Sequence, residues 1–247
     1  MVKVVSIVRD RGMYDRCVSS NPAFRGCELC PIDNTVENRP ITLLYNRFLD
    51  DLAGDCWICF CHEDWMPHTD IASLVETFDK SCLYGPVGVF VEERNSVDVI
   101  VPRGSVSQTR KDGSRQITIT GKDVEGRVDT FDCQCFFVHS SVVSKFGLRF
   151  DEALTFDMYV EDFCVSAYER YGIESRTVRI DCTHFSAGKL SERFYDSLAY
   201  VRGKYAVSKK RYATIVGHLN TFGGDSAKTV FKWKRIPWVK LRYRIAK

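Results

Sequence analysis

The chain has 247 residues, 45% of them hydrophobic and 27% charged, with a formal net charge of +3. That is enough apolar material for a sizeable core under an ordinary polar surface, and no apolar run approaches the roughly 20 residues of a membrane span. The charge is uneven: residues 226–247 carry eight Lys/Arg and no acid, so the body is net acidic, which argues against a nucleic-acid-binding module.

Val2–Val8 (VKVVSIV) predicts a first β-strand, too short for a signal peptide and without a small-residue cleavage site, so a cytoplasmic protein is expected. Tyr14–Ser20 predicts a short helix or turn, and Glu28–Ile32 a second strand ending in Asp33-Asn34. Cys27-x-x-Cys30 falls on that strand, where residues three apart point to opposite faces and cannot easily meet on one ion. Eleven cysteines are an odd number, nothing indicates secretion, and they read as small buried hydrophobes rather than a disulfide framework. Ile41, Leu44, Tyr45, Phe48, Leu49 and Leu52 have helical spacing, and Gly54-Asp55 stops that helix. Cys56–Cys61 is a third strand, leaving through His62-Glu63-Asp64. Thr69-Asp70 can cap a helix through about Lys80, and Tyr84–Val91 is a fourth strand. Strands alternating with helices predict a parallel sheet covered on both faces, which binds ligands at the carboxyl ends of its strands. Asp10, Asp33-Asn34 and His62-Glu63-Asp64 all lie just past such ends.

The polar middle, Glu92–Thr130, predicts a hairpin or a mobile loop over the site. A strand over Cys133–Val138, a helix over Ser140–Phe146, and a helix with Val160, Phe163, Cys164, Ala167 and Tyr168 on one face follow, the last stopped at Gly172. Ser175–Asp181 predicts a strand with His184 just beyond it. Residues 191–212 and 226–247 read as C-terminal helices, the second broken at Pro237.

Several residue groups could carry chemistry. On an extended exit His62 and Asp64 share a side while Glu63 points away, and such a pair can bind a divalent ion; a charged turn before Pro67 accounts for the same residues. Glu161-Asp162 opens a helix, where acids are common in the first turn, or Asp162 acts as a general base. His184 and Asp33 read equally as ordinary strand-end residues. No phosphate-binding P-loop, dinucleotide fingerprint or Gly-x-Ser-x-Gly elbow is present.

In order, VVSIVRD, CPIDNT, LLYNRFLDDLAGDCWICFCHEDWMP, LRFDEALTFDMYVEDFCVSAYERYGI and VRIDCTHFSAG resemble a family-2-type glycosyltransferase, over roughly residues 2–188. The resemblance implies an α/β fold of GT-A type, a Rossmann-like mixed sheet flanked by helices. It divides the chain into a nucleotide-sugar-binding catalytic domain, 1–190, and a helical basic extension, 191–247. By the same resemblance Arg9, Asp10, Asp33 and Asn34 hold the nucleotide, and Asn46 faces it. Asp64 matches the last acid of the family's Asp-x-Asp metal motif with His62 in place of the first, and His184 matches a late histidine that is sometimes a ligand. Glu161-Asp162 matches the family's Glu-Asp pair, with Asp162 the base. Implied are a divalent cation (Mn²⁺ or Mg²⁺), a nucleotide-diphosphate sugar donor, and an inverting transfer to a glycan or lipid-linked hydroxyl. Absence of the Gln-x-x-Arg-Trp signature implies one sugar per event. The tail 226–247 reads either as a solvated basic face on helices packed against the core or, with Phe231, Trp233 and Trp238 among its basic residues, as a segment for an anionic membrane surface, giving a peripheral enzyme on its inner face. The rivals are a nucleotidyltransferase, for which Arg9-Asp10-Arg11-Gly12-Met13 is poor in glycine, a basic-tail nucleic-acid module, and an inactive nucleotide-binding relative.

Overall fold

The computed structural model describes residues 1–94, 97–110, 116–121, 123–186 and 191–220; the basic segment 226–247 lies outside them. β1 (Val2–Val8) leads into a one-turn helix α1 (Arg11–Tyr14), then β2 (Glu28–Asp33), α2 (Ile41–Asp50), β3 (Trp57–Cys61), β4 (Trp65–Pro67) and α3 (Ile71–Val75). The middle is β-rich: β5 (Leu83–Gly85), β6 (Val87–Arg94), β7 (Val97–Thr109), β8 (Gln116–Thr120), β9 (Gly126–Val128) and β10 (Thr130–Phe131). β11 (Cys135–His139), α4 (Ser140–Phe146), α5 (Tyr159–Tyr171), β12 (Ser175–Thr177), β13 (Cys182–His184), α6 (Glu192–Lys204) and a β14 (Ala213–Thr214)–β15 (Gly217–His218) hairpin complete the order.

The main sheet has seven strands in the order β2-β1-β3-β11-β5-β12-β9. β2, β1 and β3 are parallel, whereas β11 is antiparallel to both β3 and β5. The parallel sheet expected from the strand–helix alternation is therefore mixed. The chain reaches β11 through β6–β10 rather than through a crossover helix, which a parallel neighbour would require. The strand expected over Tyr84–Val91 is broken at Pro86, which has no N–H for a ladder: β5 stays in the main sheet and β6 enters a second one. That second sheet runs β10-β6-β7-β13-β4, with β8 on β7, so the polar middle is a β-hairpin. The strand expected over Ser175–Asp181 is shortened to β12 in the first sheet, and the residues expected just past its end form β13 in the second.

β3 explains why its sequence, WICFC, is apolar at every position. All five residues are buried, and alternate side chains feed two different cores. Ile58 and Phe60 join Val5 and Ile7 of β1, Leu44, Tyr45 and Leu49 of α2, Phe163 of α5 and Leu198 of α6. Trp57, Cys59 and Cys61 join Val4 and Val8, Met13 of α1, and Ile71 and Val75 of α3. Residues 191–220 thus share the core of the sheet. α3 stops at Val75, short of the expected Lys80, because Phe78 turns inward to stack on Tyr84 with centroids 4.0 Å apart. α6 ends at Lys204, short of the helix expected over 191–212, and the β14–β15 hairpin follows that range. All eleven cysteines are free, and no described helix is long and apolar enough to cross a membrane.

Candidate active site

Because β1, β2 and β3 are parallel, their carboxyl ends meet along one edge of the sheet. Asp10, at the end of β1, caps α1 by accepting the Met13 N–H at 3.0 Å. Glu63 binds the exits of β1 and β3 together: one carboxylate oxygen accepts the backbone N–H groups of Arg9 and of Asp10, the latter at 2.9 Å. The sequence reading turned Glu63 away from the site; the structure aims it into the same cavity as its neighbours. Hydrogen bonds to a charged acceptor contribute about 1.5–3 kcal/mol. Given partial exposure, Glu63→Ala is expected to cost about 1–2 kcal/mol, seen as a lower urea midpoint at unchanged slope. An unchanged midpoint would show that the tie carries no stability.

The next element is a trio of potential ligands. Each of His62, Asp64 and His184 offers an atom within 4.8 Å of the others. β13 pairs with β4 so that His184 lies opposite Trp65, and the Phe185 N–H donates to the Asp64 carbonyl at 2.9 Å. This register carries a histidine 120 residues downstream to the exit of β3. His184 Nε2 stands 3.3 Å from Asp64 Oδ1, and its two buried ring nitrogens make no hydrogen bond. A buried imidazole in that state suits a cation, since buried polar groups are otherwise satisfied. Two imidazoles and one carboxylate are a donor set for ions such as Mn²⁺ or Zn²⁺ more than for Mg²⁺. Burial alone would lower the His184 pKa, but the Asp64 carboxylate, 3.3 Å away, more than offsets it and the pKa is raised. At His62 burial wins and the pKa is lowered, against the pull of Asp64. Asp132 adds its charge to both histidines. Sequence reasoning missed Asp132 because FDCQC reads as the start of a strand, whereas Asp132–Gln134 forms the turn before β11.

A cavity of about 600 Å³ opens at this edge, lined by Arg9, Asp10, Asn34, His62, Glu63 and Asp64, and across from them Arg39, Tyr45, Phe156 and Arg193. Five of the expected site residues, Arg9, Asp10, Asn34, His62 and Asp64, thus converge. Asn34 is buried and exchanges hydrogen bonds with the backbone of Arg39 at 2.8 and 3.0 Å, shaping the loop after β2. Asp33 does not line the cavity: its exposed carboxylate accepts from the Thr35 N–H, which holds its pKa low, and pairs with Arg11. Asn46, expected to face the nucleotide, does not line the cavity either. Its amide is spent on Phe150 O and N, at 3.0 and 2.9 Å, and on Glu152, fixing the chain ahead of α5. Phe156 and Arg193 were not foreseen. The Phe156 ring stacks on His62 with centroids 5.6 Å apart, and the Arg193 guanidinium lies 4.9 Å above Phe156 while pairing with Asp157 at 2.7 Å.

The Glu161-Asp162 pair separates. α5 follows Met158, whose φ of 64° is rare for a side-chain-bearing residue. Asp162 is 2% exposed and bound by Lys204 Nζ at 2.9 Å and Tyr205 Oη at 2.8 Å. Burial raises its pKa, against the pull of Lys204. Its carboxylate is occupied and does not line the cavity, so the expected role as a base within reach of an acceptor does not fit this placement. Glu161 is buried with one carboxylate oxygen lacking a hydrogen bond, and burial, with Asp132 and Asp157 nearby, pushes its pKa up to about 8.

No protein-family model matches the sequence, and no curated protein does. Among solved structures the chain is similar to GalNAc-T7, crystallised with UDP, GalNAc and Mn²⁺, at 9% identity and a TM-score of 0.53, over 83% of this chain and 48% of that one. It is also similar to S. aureus TarS 1–349 (11% identity, TM-score 0.48, 84% of this chain and 66% of that one) and to A197 from STIV (14%, 0.38, 75% and 85%). The chain spans about half the length of GalNAc-T7. The likeness shows the fold: a mixed α/β sheet flanked by helices, of the GT-A type.

Proposed function

We propose that the chain is a glycosyltransferase that takes one sugar from a nucleotide-diphosphate donor, with a divalent cation held by His62, Asp64 and His184. The observation that carries this reading is the ligand trio itself, two of whose members, His62 and Asp64, line a 600 Å³ cavity at the ends of the parallel strands, in a chain whose fold is shared with GalNAc-T7, a protein solved with UDP and Mn²⁺. When bound, the cation would supply neutralisation of the charge that develops on a leaving diphosphate. The chain's own residues do the rest. Glu63 fixes the exits of β1 and β3 that form the nucleotide side. Arg193 offers a planar guanidinium at the cavity, the geometry that pairs bidentately with phosphate oxygens. Phe156 packs against His62 and limits water at its face.

Inverting transfer requires a group that takes the acceptor proton. Asp162 would have to leave Lys204 and Tyr205 to do so, and Glu161, whose raised pKa favours the protonated acid, lies outside the cavity lining as well, so this reading requires one of the two acids to be brought to the acceptor. A glycan or lipid-linked hydroxyl is the acceptor in this reading. The basic aromatic segment 226–247 would bring the enzyme to an anionic membrane surface. The catalytic unit would extend to about residue 190, with the remainder packed on it. The nucleotidyltransferase reading is weakened because the stretch after β1 is used for a capped helix rather than a glycine-rich phosphate loop.

A thermal-shift panel of UDP, GDP, CMP and dTDP with and without Mn²⁺ tests the proposal. A ligand bound only to the folded state adds about 2.7 kcal/mol at 100 times Kd, or about 5–10 °C for a chain of this size. One nucleotide is expected to give such a shift, and only with Mn²⁺. No shift with any nucleotide would overturn the reading.

A further inference from the structure

We infer that Tyr159 is a positioning residue that locks His62 into the Nε2–H tautomer and so leaves Nδ1 as its cation-binding atom; the inference rests on the metal reading of the His62–Asp64–His184 trio. The argument is a count of hydrogens. Tyr159 Oη lies 3.0 Å from the Cys133 carbonyl oxygen, which can only accept, so the single phenolic hydrogen points there. The same Oη lies 3.0 Å from His62 Nε2. With its hydrogen already used, Oη can only accept from the ring, and Nε2 must carry a hydrogen. In a neutral imidazole the lone pair is then on Nδ1.

The surroundings hold this arrangement rigid. Tyr159 is 1% exposed, the first residue of α5, and its ring packs against Tyr45 and Phe150. Cys133 lies in the turn whose Gln134 carbonyl accepts the His62 backbone N–H at 2.9 Å. Tyrosine, histidine and turn therefore form a closed loop of hydrogen bonds, His62 Nε2–H to Tyr159 Oη–H to Cys133 C=O, and His62 N–H to Gln134 C=O. Stacking of Phe156 on the histidine ring adds a second restraint on its plane. Outer partners of this type fix the tautomer and orientation of a metal-ligating histidine, and losing one typically costs 10–100-fold in metal affinity.

The experiment has two parts. Long-range ¹H–¹⁵N correlation spectra of the chelator-treated, metal-free full chain report the tautomer of each histidine, with His62→Gln identifying the relevant signals. Wild type is expected to show His62 protonated at Nε2; protonation at Nδ1 instead would overturn the inference whatever any variant does. Tyr159→Phe keeps the ring but removes the acceptor. It is expected to give a mixed His62 tautomer and a 10–100-fold weaker Mn²⁺ affinity by calorimetry. An unchanged tautomer, or an affinity within twofold of wild type, would overturn the positioning role. Failure of wild type to bind Mn²⁺ or Zn²⁺ would overturn the metal reading beneath the inference, a result distinguishable from the others because the metal-free spectra are recorded independently.

Discussion

Asp64→Asn is expected to weaken Mn²⁺ binding by more than 100-fold and to abolish any nucleotide shift that depends on the ion. The substitution keeps the side-chain shape and removes the only carboxylate of the trio, so the loss should exceed the 10–100-fold typical of an outer partner. The backbone is not at risk: the hydrogen bond that joins β13 to this exit uses the Asp64 carbonyl, not its side chain. The same change has a signature in the metal-free protein. Asp64 raises the pKa of His184 in the folded state above its ordinary value near 6.5. A raised pKa contributes stability that is fully present below the unfolded value and is lost as pH rises through the folded one. Wild type should therefore exceed Asp64→Asn in urea stability most at acidic pH, the gap closing as pH rises past the folded-state pKa of His184. Cation affinity should run the opposite way, weakening as pH falls, because the proton competes for the ring. Mn²⁺ titration of the variant at wild-type affinity would remove Asp64 from the site.

The second large effect is on stability. Lys204→Met is expected to cost about 3–5 kcal/mol, the range for leaving one charge of a buried pair uncompensated, nearer the lower end because the lysine is itself partly exposed. Its ammonium reaches Asp151 at 2.6 Å and Asp162 at 2.9 Å, and the Asp162 side chain is only 3% exposed. At about 2–4 °C per kcal/mol for a chain of this size, the melting temperature should fall by roughly 6–20 °C. The double variant Lys204→Met with Asp162→Asn should recover much of that loss, since no buried charge at Asp162 then remains without its lysine. A Lys204→Met protein melting within about 2 °C of wild type would show that the pair is not a structural anchor. The pair matters to the site because α6 carries Lys204 at its C-terminal end and Arg193 at its N-terminal end. Anchoring one end of a rigid 13-residue helix on α5 holds the other at the cavity. The same comparison weighs the two roles considered for Asp162: a base would lose transfer on Asp162→Asn with its stability intact, an ion-pair partner would lose stability.

Local sequence determined the elements whose signals are local. The apolar run of β3, the 3-and-4 spacing of α2, the glycine that ends α5 and the strand ends at Asp10, Asn34 and His62 are properties of short windows, and each forms where the window requires. Free cysteines followed from composition. The resemblance of five ordered stretches carried the GT-A fold, because order along the chain survives where identity does not. Other features were decided only by packing between distant segments. Glu63 faces the cavity because backbone N–H groups of the β1 exit lie in front of it, and no alternation rule on its own strand contains them. Asn46 was drawn to Phe150, Asp162 to Lys204 and Phe78 to Tyr84, partners 6 to 104 residues away. His184 meets Asp64 through the register of β13 on β4, and Tyr159 meets His62 through the entry of α5. A side chain's type and its local strand or helix fix which chemistry it can offer; which unsatisfied donor, acceptor or charge stands opposite it is set by the sheet order, and that is where the site was made.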